Sequence, residues 1–157
     1  MGDPSLAVDS PEESSKALVL HEYAMIEAQA GEYGWGSLIR DLGDYYVIYV
    51  HLHKPGGRVF VLRLECDDYP RQPPQAGFVD PAWWENMDLA ERGDASFFPQ
   101  GEYMQTGRGP LPVMCIRGQR DYYAAGWHAG WSNPPHNLDT LYQLVLNVRN
   151  AVYGRWS

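Results

Sequence analysis

Cys115 is the residue of this chain best suited to do chemistry. It lies in a short apolar run, Leu111-Pro112-Val113-Met114-Cys115-Ile116, that opens into Arg117-Gly118-Gln119-Arg120. The thiolate is the nucleophilic form of cysteine, and cationic or hydrogen-bond-donating neighbours favour it. Arg117, Arg120 and His128 are the candidates close in sequence. Such a thiolate can accept an acyl group as a thioester and pass it on. Asp121 has the chemistry to orient or deprotonate an incoming amine, and a hydroxyl from Tyr122 or Tyr123 can stabilise a tetrahedral oxyanion. His128, in Gly126-Trp127-His128, is a candidate base or hydrogen-bonding support.

Other readings of these residues stand beside that one. Cysteine is among the most often buried residue types and can simply fill space. Asp121-Tyr122-Tyr123 can be a solvated turn, and a lone His beside a Trp can be packed or exposed. Cys115, Asp121, His128 and His136 carry zinc-binding side chains, but their spacing follows no finger or protease pattern. His51 and His53, two apart, share one face of a strand. With no third ligand evident, they read as part of a polar sheet face. Cys66 falls on the apolar face of a strand and reads as core. No Ser-His-Asp signature is present, and no glycine-rich segment leads from a strand into a helix as a phosphate loop would. Neither a cofactor nor a bound metal is expected in the nucleophile reading.

The elements that must position these residues follow from pattern. Residues 1–9 are polar and expected to be flexible, with a single domain over 10–157. Ser10-Pro11-Glu12-Glu13 is a helix start: Ser10 caps, Pro11 suits the first helical position and Glu13 completes a capping box. Val19, Tyr23, Ile26 and Ala30 fall on one helical stripe, and Gly31 is the expected terminator, so the helix should span 11–29. A first strand is expected over Tyr33 to Ile39. Tyr45 to His53 and Arg58 to Cys66 form a hairpin around Lys54-Pro55-Gly56-Gly57. Tyr46, Ile48, Val50 and Leu52 share one face of it, as do Phe60, Leu62, Leu64 and Cys66. Gln75 to Val79 is a short fourth strand. Residues 80–112 read as a long loop with a short helical piece. A last helix begins near Leu138, with Leu141, Leu144, Val145, Val148 and Val152 on its apolar stripe. A contiguous sheet with helices at either end gives an α+β class.

Composition narrows the function. The chain has 157 residues, a hydrophobic fraction of 45% and a net charge of −8. That charge disfavours nucleic acid, whose phosphates need clustered Lys and Arg, and an anionic membrane surface. No apolar run approaches the roughly 20 residues that span a bilayer. The N-terminus lacks the basic-then-apolar pattern of a secretory signal, and the cysteines, Cys66 and Cys115, suggest no disulfide framework, so a reducing cytoplasm is expected. Six Trp and eleven Tyr supply packing or contact surface. Trp131 reads as packing, whereas Trp83 and Trp84 fit either role.

The order helix, strand meander, Tyr-Pro…Pro-Pro, short strand, long loop, Cys, Trp, terminal helix resembles the ubiquitin-conjugating enzyme fold. The matching residues are Leu64, Tyr69, Pro70, Pro73, Pro74 and Phe78 after the meander, then Cys115-Ile116, then Trp131, Pro134, Pro135, Leu138 and Leu141. The resemblance covers roughly residues 11–157. It implies that Cys115 takes a ubiquitin-like protein from an activating enzyme as a thioester and transfers it to a target protein. It also implies that the helix at 11–29 contacts the activating enzyme. Eukaryotic members carry a His-Pro-Asn triplet shortly before the cysteine; this chain has none, and His136-Asn137 follows the cysteine. With Ser157 as the last residue given, the extra C-terminal helices of typical members are not expected. The expected kinship is with compact, divergent bacterial relatives, often encoded beside a ubiquitin-like protein, an activating enzyme and a deconjugating metalloprotease, sometimes in anti-phage defence operons. The run from Cys115 to Tyr123 is also similar to a bacterial group predicted to bind metal through Cys, Glu and two His. Here Asp121 stands near the acid, and Tyr123 stands where a His is expected. A third possibility is a non-catalytic module of the same fold that binds a ubiquitin-like protein.

Overall fold

The computed structural model describes residues 11–53, 59–79, 103–106, 109–112, 120, 123, 131 and 140–154. The expected frayed N-terminus, the turn at 54–57, Trp83, Trp84 and the expected helical piece lie outside them. Helix α1 (Pro11–Ala28) starts where the proline suggests. Its Val19, Tyr23 and Ile26 are buried, as a 3.6-residue stripe requires. Gly31 does not stop it. A single turn, α2 (Ala30–Tyr33), follows, and Gly34 terminates that turn at φ 69°, its N–H donating to the Ala30 carbonyl at 2.8 Å. A positive φ is what selects glycine at a helix end. Gly31, which lies within α2, does not have one.

The chain then turns on Trp35. Its indole N–H donates to the Ile26 carbonyl at 2.9 Å, and its ring stacks on Tyr33 at 4.9 Å. This anchor displaces the expected first strand: β1 is Gly36–Asp41, not Tyr33 to Ile39. Strands β2 (Tyr46–His53), β3 (Val59–Glu65) and β4 (Gln75–Val79) complete an antiparallel open sheet in the order β1-β2-β3-β4. A last helix, α3 (Leu141–Gly154), begins three residues later than Leu138. Its start is marked by Thr140, whose hydroxyl accepts the Gln143 N–H at 3.1 Å. An N-terminal helix, a four-stranded antiparallel sheet and a C-terminal helix make the class α+β. Among the described residues no helix is long and apolar enough to cross a membrane.

One core joins the helices to one sheet face. Ile48, Val50, Leu52, Phe60, Leu62, Leu64, Cys66 and Phe78 meet Val19, Tyr23 and Ile26 of α1 and Leu141, Leu144, Val145 and Val148 of α3. The side chain of Val152 lies outside the described residues. The opposite face is not simply polar. Val47, Tyr49, Val61 and Val79 are buried there, with Leu38 and Tyr45 packed beside them. Its polar groups are paired: Arg63 donates to Tyr49 Oη at 3.3 Å and to Glu65 at 3.1 Å, and Tyr45 donates to Glu65 at 3.0 Å.

Within the stretch expected to be a loop, strands β5 (Tyr103–Thr106) and β6 (Gly109–Pro112) pair antiparallel. Thr106 lies opposite Gly109, so two residues, Gly107 and Arg108, separate the strands. A two-residue connection with glycine first is a hairpin signature. Pro110 and Pro112 weaken the strand pattern that would otherwise have marked it.

Candidate functional site

The segment between β3 and β4, residues 66–74, is where widely separated parts of the chain meet. It includes the cis Tyr69-Pro70 bond and a turn closed by the Gln72 N–H on the Asp68 carbonyl at 2.8 Å. Helix α1 holds it at two points. The Ser15 hydroxyl donates to the Tyr69 carbonyl, and the Tyr69 hydroxyl lies 2.7 Å from both carboxylate oxygens of Glu22. Glu22 also accepts the Leu141 N–H at 2.7 Å, so one carboxylate joins α1, the turn and the first residue of α3.

Two later parts of the chain close on the same turn. The Trp131 indole N–H donates to the Pro70 carbonyl at 2.7 Å. Trp131 also meets the Tyr69 ring at 6.3 Å and the Tyr123 ring edge-on at 5.3 Å. The Arg120 N–H donates to the Pro74 carbonyl at 2.8 Å, and its Nε donates to the Pro73 carbonyl at 3.2 Å. The Arg120 guanidinium forks onto Asp67 at 2.5 and 3.3 Å. Bidentate Arg–carboxylate pairing is directional as well as attractive, so Arg120 is fixed relative to the turn.

Arg120, a candidate for favouring the Cys115 thiolate, has its guanidinium Nη atoms engaged by Asp67 and its Nε and backbone N–H by the Pro73 and Pro74 carbonyls. Tyr123 is half-buried with its ring against Trp131, which gives that ring a packing role. Cys115, Arg117, Asp121, Tyr122, His128 and His136 lie outside the described residues. Cys115 therefore falls, in sequence, between Pro112, the last residue of β6, and Arg120, the first described residue tied to the turn. Among the described residues no three His, Cys, Asp or Glu side chains gather as a metal site.

Glu22 was not singled out from sequence, although a signal was present. It sits three residues after Val19 and one before Tyr23, on the apolar stripe of α1, where a charge needs a partner. The residue is 8% exposed. Burial raises its pKa above the ordinary 4.5, while the Leu141 N–H and the Tyr69 hydroxyl pull it back in part.

Cys66 behaves as core, as its strand position suggests. It is fully enclosed, and burial, followed by the nearby carboxylates of Glu22, Asp67 and Glu65, pushes its thiol pKa up. A thiol held in that form does not react. Iodoacetamide at pH 8 should leave Cys66 unmodified in the folded protein and alkylate it only in denaturant, as read by peptide mass mapping. Rapid native labelling of Cys66 would refute its burial. Comparison with protein-family models, with curated proteins and with solved structures finds no match.

Proposed function

We propose that this protein is a ubiquitin-conjugating-like transferase. Cys115 attacks the thioester carbonyl of a ubiquitin-like protein carried by an activating enzyme and expels that enzyme's thiolate. An amine of a target protein then attacks the new thioester, loses a proton and releases the Cys115 thiolate. Asp121, Tyr123 and His128 are the groups proposed to assist, with Tyr123 acting first through its packing on Trp131.

The observation that carries this reading is the junction at the proline turn. Tyr69-Pro70, Pro73-Pro74 and Trp131 are sequence landmarks on which the resemblance rests. Trp131 bonds directly to Pro70, and Arg120, five residues beyond Cys115, closes on Pro73 and Pro74. Landmarks 61 residues apart thus form one unit that brackets the cysteine in sequence. The α+β order of elements supports the same reading. Helix α1, proposed as the activating-enzyme contact, exposes Leu20 and Met25 at 44% and 48%.

The test is thioester formation. With a ubiquitin-like protein, its activating enzyme and ATP, the protein should form an adduct that reducing agent removes. Cys115→Ala should abolish the adduct, and Cys115→Ser should leave an oxyester that survives thiol. An adduct of unchanged thiol sensitivity in Cys115→Ala would overturn the assignment. Binding of the ubiquitin-like protein without any adduct would identify a non-catalytic module instead.

A further inference from the structure

His51 and His53 lie at the end of β2 and are absorbed neither by the core nor by the proposed transfer chemistry. Alternation along a strand puts residues two apart on one face. Here it brings His51 Nδ1 within 2.8 Å of His53 Nε2, with the rings edge-to-face at 4.3 Å and 76°. We propose that this pair is a two-imidazole chelate for a divalent first-row transition ion, with Ni2+ or Cu2+ preferred to Zn2+.

The rings now share a nitrogen-to-nitrogen hydrogen bond at 2.8 Å, and a small turn of the exposed His53 lets both lone pairs converge on an ion. Imidazole nitrogens sit about 2.0–2.1 Å from such ions, so a separation of about 2.9 Å, little more than the present one, subtends about 90° at a shared ion. That is the cis angle of square-planar or octahedral coordination. A tetrahedral ion such as Zn2+ needs a separation of about 3.3 Å. The ion takes the place of the proton shared between the rings, and that proton moves to the far nitrogen of the ring that held it. His51 binds through Nδ1 with its proton on Nε2, and His53 through Nε2 with its proton on Nδ1, so two neutral imidazoles bind without net proton release.

The surroundings suit an open site. His53 is the exposed last residue of β2 and can turn its lone pair toward an ion. Opposite His51, β1 contributes Gly36, which brings no side chain, and β3 contributes Val61. Val59 faces His53 across the hairpin. Water fills the remaining coordination positions, as imidazole sites on borderline ions allow.

The experiment uses the full, untagged chain and Ni2+ as the probe, with calorimetric titration and thermal unfolding. One equivalent should bind and raise Tm. His53→Gln should leave the metal-free Tm unchanged, because the residue is exposed. It should weaken Ni2+ binding on the order of 100-fold, the loss expected when one arm of a chelate is removed. His51→Gln should do the same, Zn2+ should bind the native protein more weakly than Ni2+, and Cys115→Ala should bind Ni2+ like the native protein. Native-like affinity in His53→Gln would overturn the proposal. So would the absence of saturable binding up to about 1 mM Ni2+, which marks an affinity near 4 kcal/mol. Neither outcome touches the thioester assignment, which is read on Cys115.

Discussion

Glu22→Ala should be among the most destabilising single substitutions in this protein, costing about 3 kcal/mol and on the order of 10 °C in Tm. The argument rests on what is left behind. Removing the carboxylate strands the Leu141 N–H, at the first turn of α3, and the Tyr69 hydroxyl in the core, both now 2.7 Å from Glu22. A buried donor without an acceptor costs about 1–3 kcal/mol, and two are created at once. Relief of the desolvated carboxylate offsets part of that sum. Equilibrium urea unfolding of the variant would measure the loss, and a change below about 1 kcal/mol would show that Glu22 does not hold the three elements together.

Glu22→Gln separates charge from connection. The amide keeps an acceptor for Leu141 and can donate to Tyr69 Oη, so at neutral pH the variant should lie within about 1 kcal/mol of the native protein. The two proteins should differ in pH dependence. The folded pKa of Glu22 is raised, so the folded state holds this proton more tightly than the unfolded chain does. The associated stabilisation is fully present below the ordinary value of 4.5 and is lost as pH rises through the folded pKa. Relative to Glu22→Gln, the native protein should therefore lose stability from about pH 4 upward and then level off. Parallel pH profiles for the two proteins would contradict the assignment of a raised pKa.

Much of the sheet is legible because alternation is a local signal. Phe60, Leu62 and Leu64 announce their face without reference to the rest of the chain. The burial of Val47, Tyr49 and Val61 on the other face was signalled too, by the unbroken apolar runs Tyr45 to Val50 and Val59 to Leu62, since a strand covered on both sides loses its alternation. The junction around residues 66–74 is different. Trp131 and Arg120 reach it through backbone carbonyls of Pro70, Pro73 and Pro74, and a carbonyl carries no residue-type signal. The resemblance pointed to those positions without saying what they do to one another. The α1–β1 corner was misplaced because glycine alone does not mark a helix end; Gly34 does so by its positive φ, which the sequence does not display.

The junction also predicts how stability and reactivity should part. Trp131→Phe keeps a ring against Tyr69 and Tyr123 but loses the indole donor to Pro70, and should cost about 1–2 kcal/mol. Arg120→Lys keeps the charge but cannot reproduce the fork on Asp67 together with the Nε bond to Pro73, so charge conservation should not rescue it. Both residues hold the same turn, and their effects on stability should be coupled rather than additive. If the junction serves only the fold, each variant should lower Tm and leave the proposed thioester step untouched once the protein is folded. If it fixes the path of the segment carrying Cys115, Arg120→Lys should slow adduct formation on the order of 10- to 100-fold under conditions where it is fully folded, because small misplacements of a reacting group are costly. Cys66 supplies the internal control. Its alkylation should stay negligible in the same variant, which separates a displaced active segment from a loosened core. An Arg120→Lys protein with native adduct kinetics would confine Arg120 to a stabilising role.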